Sequence, residues 1–304
     1  MNNISLNADL AAVSRLVIEG AMLVYTFAFL TFAYHLSQLA SVNKSVRKGA
    51  TKIERVGIVL LTIAAVVHGV GMFLRGFAAS RVPWANMYEF SVTGSFVVIM
   101  IFLMALFVKD IRLIATFVSG FTLLVLGIAD TVFYIDVKSL MPALQSYWLV
   151  IHVMVAVLAT AFFNIAAALS IAYLFKTAKW VKASKLKLVD LMRRILNLFP
   201  AEEKLERLSY RFNIIGFILW TFTLIAGAIW AERAWHRYWG WDTKEVWTFI
   251  IWTIYAGYLH ANATRGWNGK RSAWLAVVGF VAILFNFTVV NLFFKGLHVY
   301  SGLK

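Results

Sequence analysis

Eight apolar runs, each about the 20 residues that a helix needs to cross a bilayer, leave this chain few folds to choose from. They lie near residues 16–39, 55–76, 89–108, 111–133, 147–175, 212–234, 244–263 and 274–295. Inside lipid every backbone N–H and C=O must be satisfied within the segment, so runs of this length read as helices. The expected fold is all-α: a polytopic membrane bundle of about eight helices. Composition agrees, with 62% hydrophobic and 14% charged residues against about 25% charged in soluble domains. The first run lacks a small-residue cleavage site and reads as a retained helix, not a signal peptide.

The net charge of +15 arises from loop asymmetry, not from a nucleic-acid surface. Lys44, Arg47, Lys48, Lys52 and Arg55 follow the first run, and Lys109 and Arg112 follow the third. The polar linker 176–211 holds ten Lys and Arg, and 264–273 adds Arg265, Lys270 and Arg271. The positive-inside rule puts these segments in the cytoplasm or its equivalent and both termini on the outer side. Within the linker, Leu186 to Phe199 spaces apolar residues at helical intervals between basic ones, as in a helix lying on the membrane surface. Pro200 ends it, and Glu202, Glu203 and Lys204 begin another short helix. The division expected is a four-helix region over 1–145 and a second region over 146–304.

Between runs six and seven stands Trp235 to Trp247, WHRYWGWDTKEVW, with four tryptophans in thirteen positions. An ordinary aromatic belt spreads one or two rings per helix end. This density reads as a flat aromatic platform at the outer surface, suited to a broad, partly charged ligand. With no cysteine in the chain, disulfides, thiolate nucleophiles and zinc–thiolate sites are excluded, and chemistry falls to His, carboxylates or a cofactor.

The same topology places His152 and His298 on the face that carries the tryptophans. Two opposed imidazoles can clamp a heme iron. Trp239, Trp241 and Trp247 would wall the porphyrin, and cations such as Arg81 or Arg237 would meet its propionates. His260 lies roughly 22 Å below the outer surface, where a ligand role and a structural role fit equally. His68, inside run two, fits a hydrogen bond to a neighbouring helix. His35 is interfacial, and His236 fits a surface position in the loop. Asp242 reads as a helix cap. PWANMYEF (83–90) is a second outer loop whose Glu89 caps run three.

The segment AWHRYWGWDTKEVW resembles the WWD domain of the heme-handling superfamily, in the CcsA/ResC branch of the System II cytochrome c synthase. LSYRFNIIGFILWTFTLIAGAIWAERAW, IIWTIYAGYLHAN, FNFTVVNLFFKGLHVY, SYWLVIHV and PWANMYEF are similar to that branch as well, so the resemblance covers most of residues 68–300. It implies that His152 and His298 are outer axial ligands and that His260 holds heme in transit. It implies a heme b site formed with Trp235, Trp239, Trp241, Asp242 and Trp247, with His68 a further candidate. It also implies a cytochrome c heme lyase subunit. Such a subunit moves heme outward and presents it for thioether attachment to the C-x-x-C-H segment of apocytochrome c, beside a CcsB/ResB-type membrane partner. The implied location is the bacterial inner membrane or the thylakoid, with the WWD segment facing periplasm or lumen. Membrane lipid is the other expected contact, and nucleic acid is not. Thr243 stands where the family usually has Pro, and His236 where a small residue is usual. A heme exporter of the CcmC type, without attachment, is the alternative. A b-type electron-transfer subunit fits less well, because no run carries a histidine pair.

Overall fold

The computed structural model describes residues 7–41, 44–108, 111–138, 146–264, 267–294 and 296–297, with backbone alone over 44–49. Its regular structure is helical throughout, with no strand among the described residues. The long helices are α1 (Ala8–Leu39), α2 (Lys44–Ala79), α3 (Met87–Val108), α4 (Ala115–Val132), α5 (Tyr147–Thr177), α8 (Glu202–Trp235), α9 (Thr243–Ala263) and α10 (Lys270–Phe285). Between α5 and α8 run the short α6 (Lys179–Ala183) and α7 (Lys187–Leu198). A π turn, Asn286–Val290, continues α10 into a last short turn, α11 (Asn291–Phe293).

Among the described residues, seven helices are long and apolar enough to cross a membrane, one fewer than the eight runs predict. The eighth, α9, is long enough, but Lys244, Glu245, His260 and Asn262 dilute its apolarity. Helices also outrun their apolar stretches, because hydropathy marks the lipid-facing portion and capping sets the true end. Asn7 Oδ1 accepts the Leu10 N–H at 2.9 Å and starts α1 well before Leu16. No separate short helix follows Pro200. Instead Glu202 and Glu203 occupy the first turn of α8, where negative charge suits the helix dipole, and the helix runs unbroken to Trp235.

The chain divides into two compact units, one carrying α1–α4 and the other α5–α11. In the first, α1 packs along α2 and is pinned by Ser14 Oγ donating to the Gly71 carbonyl at 2.8 Å. Arg15 grips Asp130 of α4 through two bonds of 2.9 and 3.1 Å. Glu89, fully buried, is held by Arg75 at 3.2 Å and by Arg81 at 2.6 Å. Removing one partner from a buried ion pair of this kind costs about 3–5 kcal/mol. Asn86, not Glu89, caps α3, its Oδ1 accepting the Glu89 N–H at 2.9 Å.

The second unit is built on α5 against α8, with α10 and α9 closing the core. Phe163 of α5 stacks on Tyr255 of α9 at 3.7 Å, with Trp220, Ile251, Tyr258, Ala276 and Ile283 buried beside them. This core leaves the start of α5, the end of α8 and the start of α9 fixed as the frame for the tryptophan segment.

Candidate functional site

His152 stands in the second turn of α5, where that helix crosses α8. Its Nδ1 lies 2.9 Å from the carbonyl oxygen of Thr223. A carbonyl can only accept, so Nδ1 carries the hydrogen and, in the neutral ring, Nε2 holds the lone pair. A fixed tautomer of this kind is what a metal-ligating imidazole needs. The ring stacks on Trp230 at 6.1 Å and 19°, and Trp230 meets Trp235 edge-on at 4.8 Å.

Gly227 lies under the imidazole. A Cβ there would stand 2.8 Å from Cε1 and 2.9 Å from Nδ1 of His152. Gly227→Ala should therefore push the ring off the Thr223 carbonyl, although alanine itself favours the helix by roughly 0.5–1 kcal/mol. The expected result is unchanged or higher thermal stability with the Nδ1–H of His152 released. Melting and the imidazole nitrogen resonances of the same preparation test it, and an undisturbed Nδ1–H would overturn it.

Helix α8 stops at His236, whose backbone is left-handed at φ 55° and whose N–H donates to the Glu232 carbonyl at 2.7 Å. Glycine best suits that cap, and here His236 takes the position. His236 is exposed and serves as the helix stop. Trp241 is also left-handed, at φ 58°, and 77% exposed. Holding a non-glycine residue there costs roughly 1–2 kcal/mol, and Trp241 recovers little of it by burial. Neighbouring charges impose the conformation. Glu245 Oε2 accepts the N–H groups of Gly240 at 2.7 Å and Asp242 at 3.0 Å, while Asp242 Oδ1 accepts from Lys244 N at 2.9 Å. This capping box starts α9 firmly, with Thr243 at its first position.

The four tryptophans do not form one flat platform. Trp247 turns inward onto Phe285 of α10 at 4.4 Å, and Trp235 leans on Trp230. Trp239 and Trp241 stand perpendicular to each other, at 88°. Trp239 also meets Phe249, and Phe249 stacks on Trp252. The rings are wedged against separate helices because each finds its own apolar partner. Among them Trp241 is the most accessible.

The charges of the segment tie it to the end of the chain. Asp242 Oδ2 accepts the N–H of Leu297 at 2.7 Å, and a Cβ on Gly296 would collide with that oxygen. Lys244 Nζ donates to the Asn286 carbonyl and to Asn291 Oδ1, both at 2.9 Å. The Asn286 carbonyl opens the π turn. Asp242 is therefore both a cap and a clamp on the residue immediately before His298. His298 itself lies outside the described residues.

The other histidines separate by role. His260 is exposed, on the face of α9 that also shows Thr253 and Gly257, so it is accessible from the side of the helix. His68, in the first unit, is fully buried. Its Nδ1 lies 3.2 Å from Tyr25 Oη and its Nε2 lies 3.0 Å from the Val92 carbonyl, so both nitrogens are committed to helix pairing. These are the hydrogen bonds to neighbouring helices that its position in run two leads one to expect. His35 sits 3.4 Å from Glu54. Arg81 is committed to Glu89, and Arg237 donates to the Gly240 carbonyl at 3.3 Å.

Sequence reasoning missed Gly227, Trp230, Asn286 and Asn291. The first had a signal, since an isolated glycine in an apolar helix often marks close approach. The lysine clamp had none, because Asn286 becomes an acceptor only through the π turn.

Residues 84–298 match the family described as Cytochrome C assembly protein. The chain is 34% identical over 262 residues to "Cytochrome c biogenesis protein CcsA" of a strain of Prochlorococcus marinus, covering 80% of this chain and 83% of the relative. Proteins of the same name match in Prochlorococcus marinus (strain NATL2A), at 34% over 90% of this chain and 92% of the relative, and in Guillardia theta, at 33% over 80% and 84%. An all-helical integral membrane protein with these relatives has its place: the chain belongs to the cytochrome c assembly protein family.

Proposed function

We propose that this protein takes heme b as its substrate, carries it across the membrane and presents it at the tryptophan segment for attachment to apocytochrome c. The observation that carries this reading is His152. Its Nδ1 is fixed on the Thr223 carbonyl, its ring is seated over Gly227, and Trp230 joins it to the tryptophan segment. Nε2 is the nitrogen for iron. His298, the residue after the Leu297 that Asp242 holds, would supply the second axial ligand. Trp241 and Trp239 offer aromatic faces and edges to the porphyrin. His260, exposed on its helix, would hold heme on its way across.

Each attachment adds a substrate thiol S–H across a heme vinyl C=C. The C–S bond forms, the hydrogen goes to the neighbouring carbon, and nothing leaves. The protein's share is positioning and the exclusion of side reactions. One axial histidine must yield to the imidazole of the C-x-x-C-H segment, so reversible ligation suits the task better than a permanent cofactor site.

The test is reconstitution of the purified chain with a CcsB/ResB-type partner, heme and a C-x-x-C-H apocytochrome. A reduced spectrum and the mass of the thioether product are the readouts. Heme bound with no thioether product in the complete mixture would favour export alone. No heme bound by the chain with or without its partner would overturn the reading.

A further inference from the structure

We propose that the segment Lys179–Leu188, between α5 and α7, is a docking face for the anionic headgroups of the membrane in which the chain sits. Lys179, Lys182, Lys185 and Lys187 are all exposed. Among them stand Trp180, Leu186 and Leu188, at 56%, 69% and 78% exposure. Such side chains would be costly to leave in water, and they sit within a few residues of the end of a spanning helix. Trp180 meets Phe175 of α5 edge-on at 6.2 Å, and tryptophan favours the bilayer boundary.

The face is pre-formed. Val181, 1% exposed, buries the inner side of α6. Arg193 of α7 folds back to donate to the Val181 carbonyl at 3.1 Å and the Ser184 carbonyl at 2.6 Å. Lys176 donates to the Phe199 and Pro200 carbonyls, both at 2.8 Å, and fixes the far end. These bonds hold α6 and α7 as one bracket whose outer side is left uncovered.

Charge decides the occupant. No carboxylate lies between Lys176 and Val189, and the nearest, Asp190, is taken by Arg193 and Arg194. Lys182 is 3.6 Å from Glu202, while Lys179, Lys185 and Lys187 have no ion-pair partner among the described residues. A row of cations interleaved with Trp and Leu next to the bilayer matches anionic headgroups above an apolar boundary, and each such lysine is worth about 1 kcal/mol at a charged surface.

The chain's lack of cysteine permits a clean test. Leu188→Cys in the full chain takes one environment-sensitive fluorophore, and the protein is placed in zwitterionic nanodiscs or in nanodiscs with about one-third anionic lipid. A blue shift and quenching by spin-labelled lipid are expected only in the anionic discs, and both should weaken in high salt. Combined replacement of the four lysines by Gln should return emission to the zwitterionic value, with the docking equilibrium constant falling roughly fivefold per lysine. Unchanged elution and melting of that variant show that it folds. Equal emission in both discs would overturn the proposal, as would an unaltered signal in the four-lysine variant. Protection that appears only with an acidic protein partner would overturn it too.

Discussion

Replacing His152 with alanine is expected to remove heme from the purified protein and to lower cytochrome c maturation by more than about 100-fold. Loss of a partner that merely orients a metal ligand costs about 10–100-fold, and under the proposed function His152 is the ligand itself. The fold should survive, because the imidazole is half-buried and its bond to Thr223 ends on a main-chain carbonyl. That arrangement permits a control. The variant keeps the Thr223 carbonyl, the Trp230 face and the space over Gly227, so free imidazole can enter the vacated position with one nitrogen donating and the other facing iron. Recovery of the heme spectrum on adding imidazole would identify His152 as a ligand and not as a packing residue. If His152→Ala and His298→Ala both keep full heme content and maturation, the axial assignment is wrong.

Asp242→Ala should be the next most damaging change, and by a different route. Loss of an N-cap costs about 1 kcal/mol. The bond from Leu297 N–H to a charged oxygen is worth about 1.5–3 kcal/mol more. Hydrogen exchange at Leu297 reads the second term alone. It should accelerate roughly 10- to 100-fold in the variant, with reduced heme retention, because the residue preceding His298 is no longer held. Asn has one acceptor oxygen for the two N–H groups that the carboxylate serves, so Asp242→Asn should keep the cap and α9 while Leu297 exchange rises as it does in the alanine variant. Unchanged exchange and unchanged heme in Asp242→Ala would show that the clamp does no work.

The helices are readable because lipid allows one solution for a long apolar run, and runs 89–108 and 244–263 fall within about two residues of α3 and α9 at both ends. Where apolarity misleads, charge is the reason. Run six starts at residue 212, although α8 reaches back to Glu202, because a helix outside the lipid needs no apolar residues. The tryptophan segment is legible as a site but not in shape. Its density shows from composition, whereas the facing of each ring depends on Trp230, Phe249 and Phe285, which approach only in the folded unit. Depth alone also fails to sort the histidines. His68 and His260 both fall within apolar runs, yet one is sealed between Tyr25 and Val92 and the other is exposed.

The π turn at Asn286–Val290 carries one more implication. Such a turn holds one residue beyond the regular count, and each residue of an α-helix swings the chain by about 100° around its axis. The wide turn takes up that residue locally instead of turning the chain about 100° further, so Asn291 keeps nearly the facing it would have in a regular helix. What the extra residue changes is the backbone bonding, which leaves the Asn286 carbonyl for Lys244. Deleting one residue within 286–290 should therefore restore regular bonding and weaken the hold on Lys244 while the helix itself is kept.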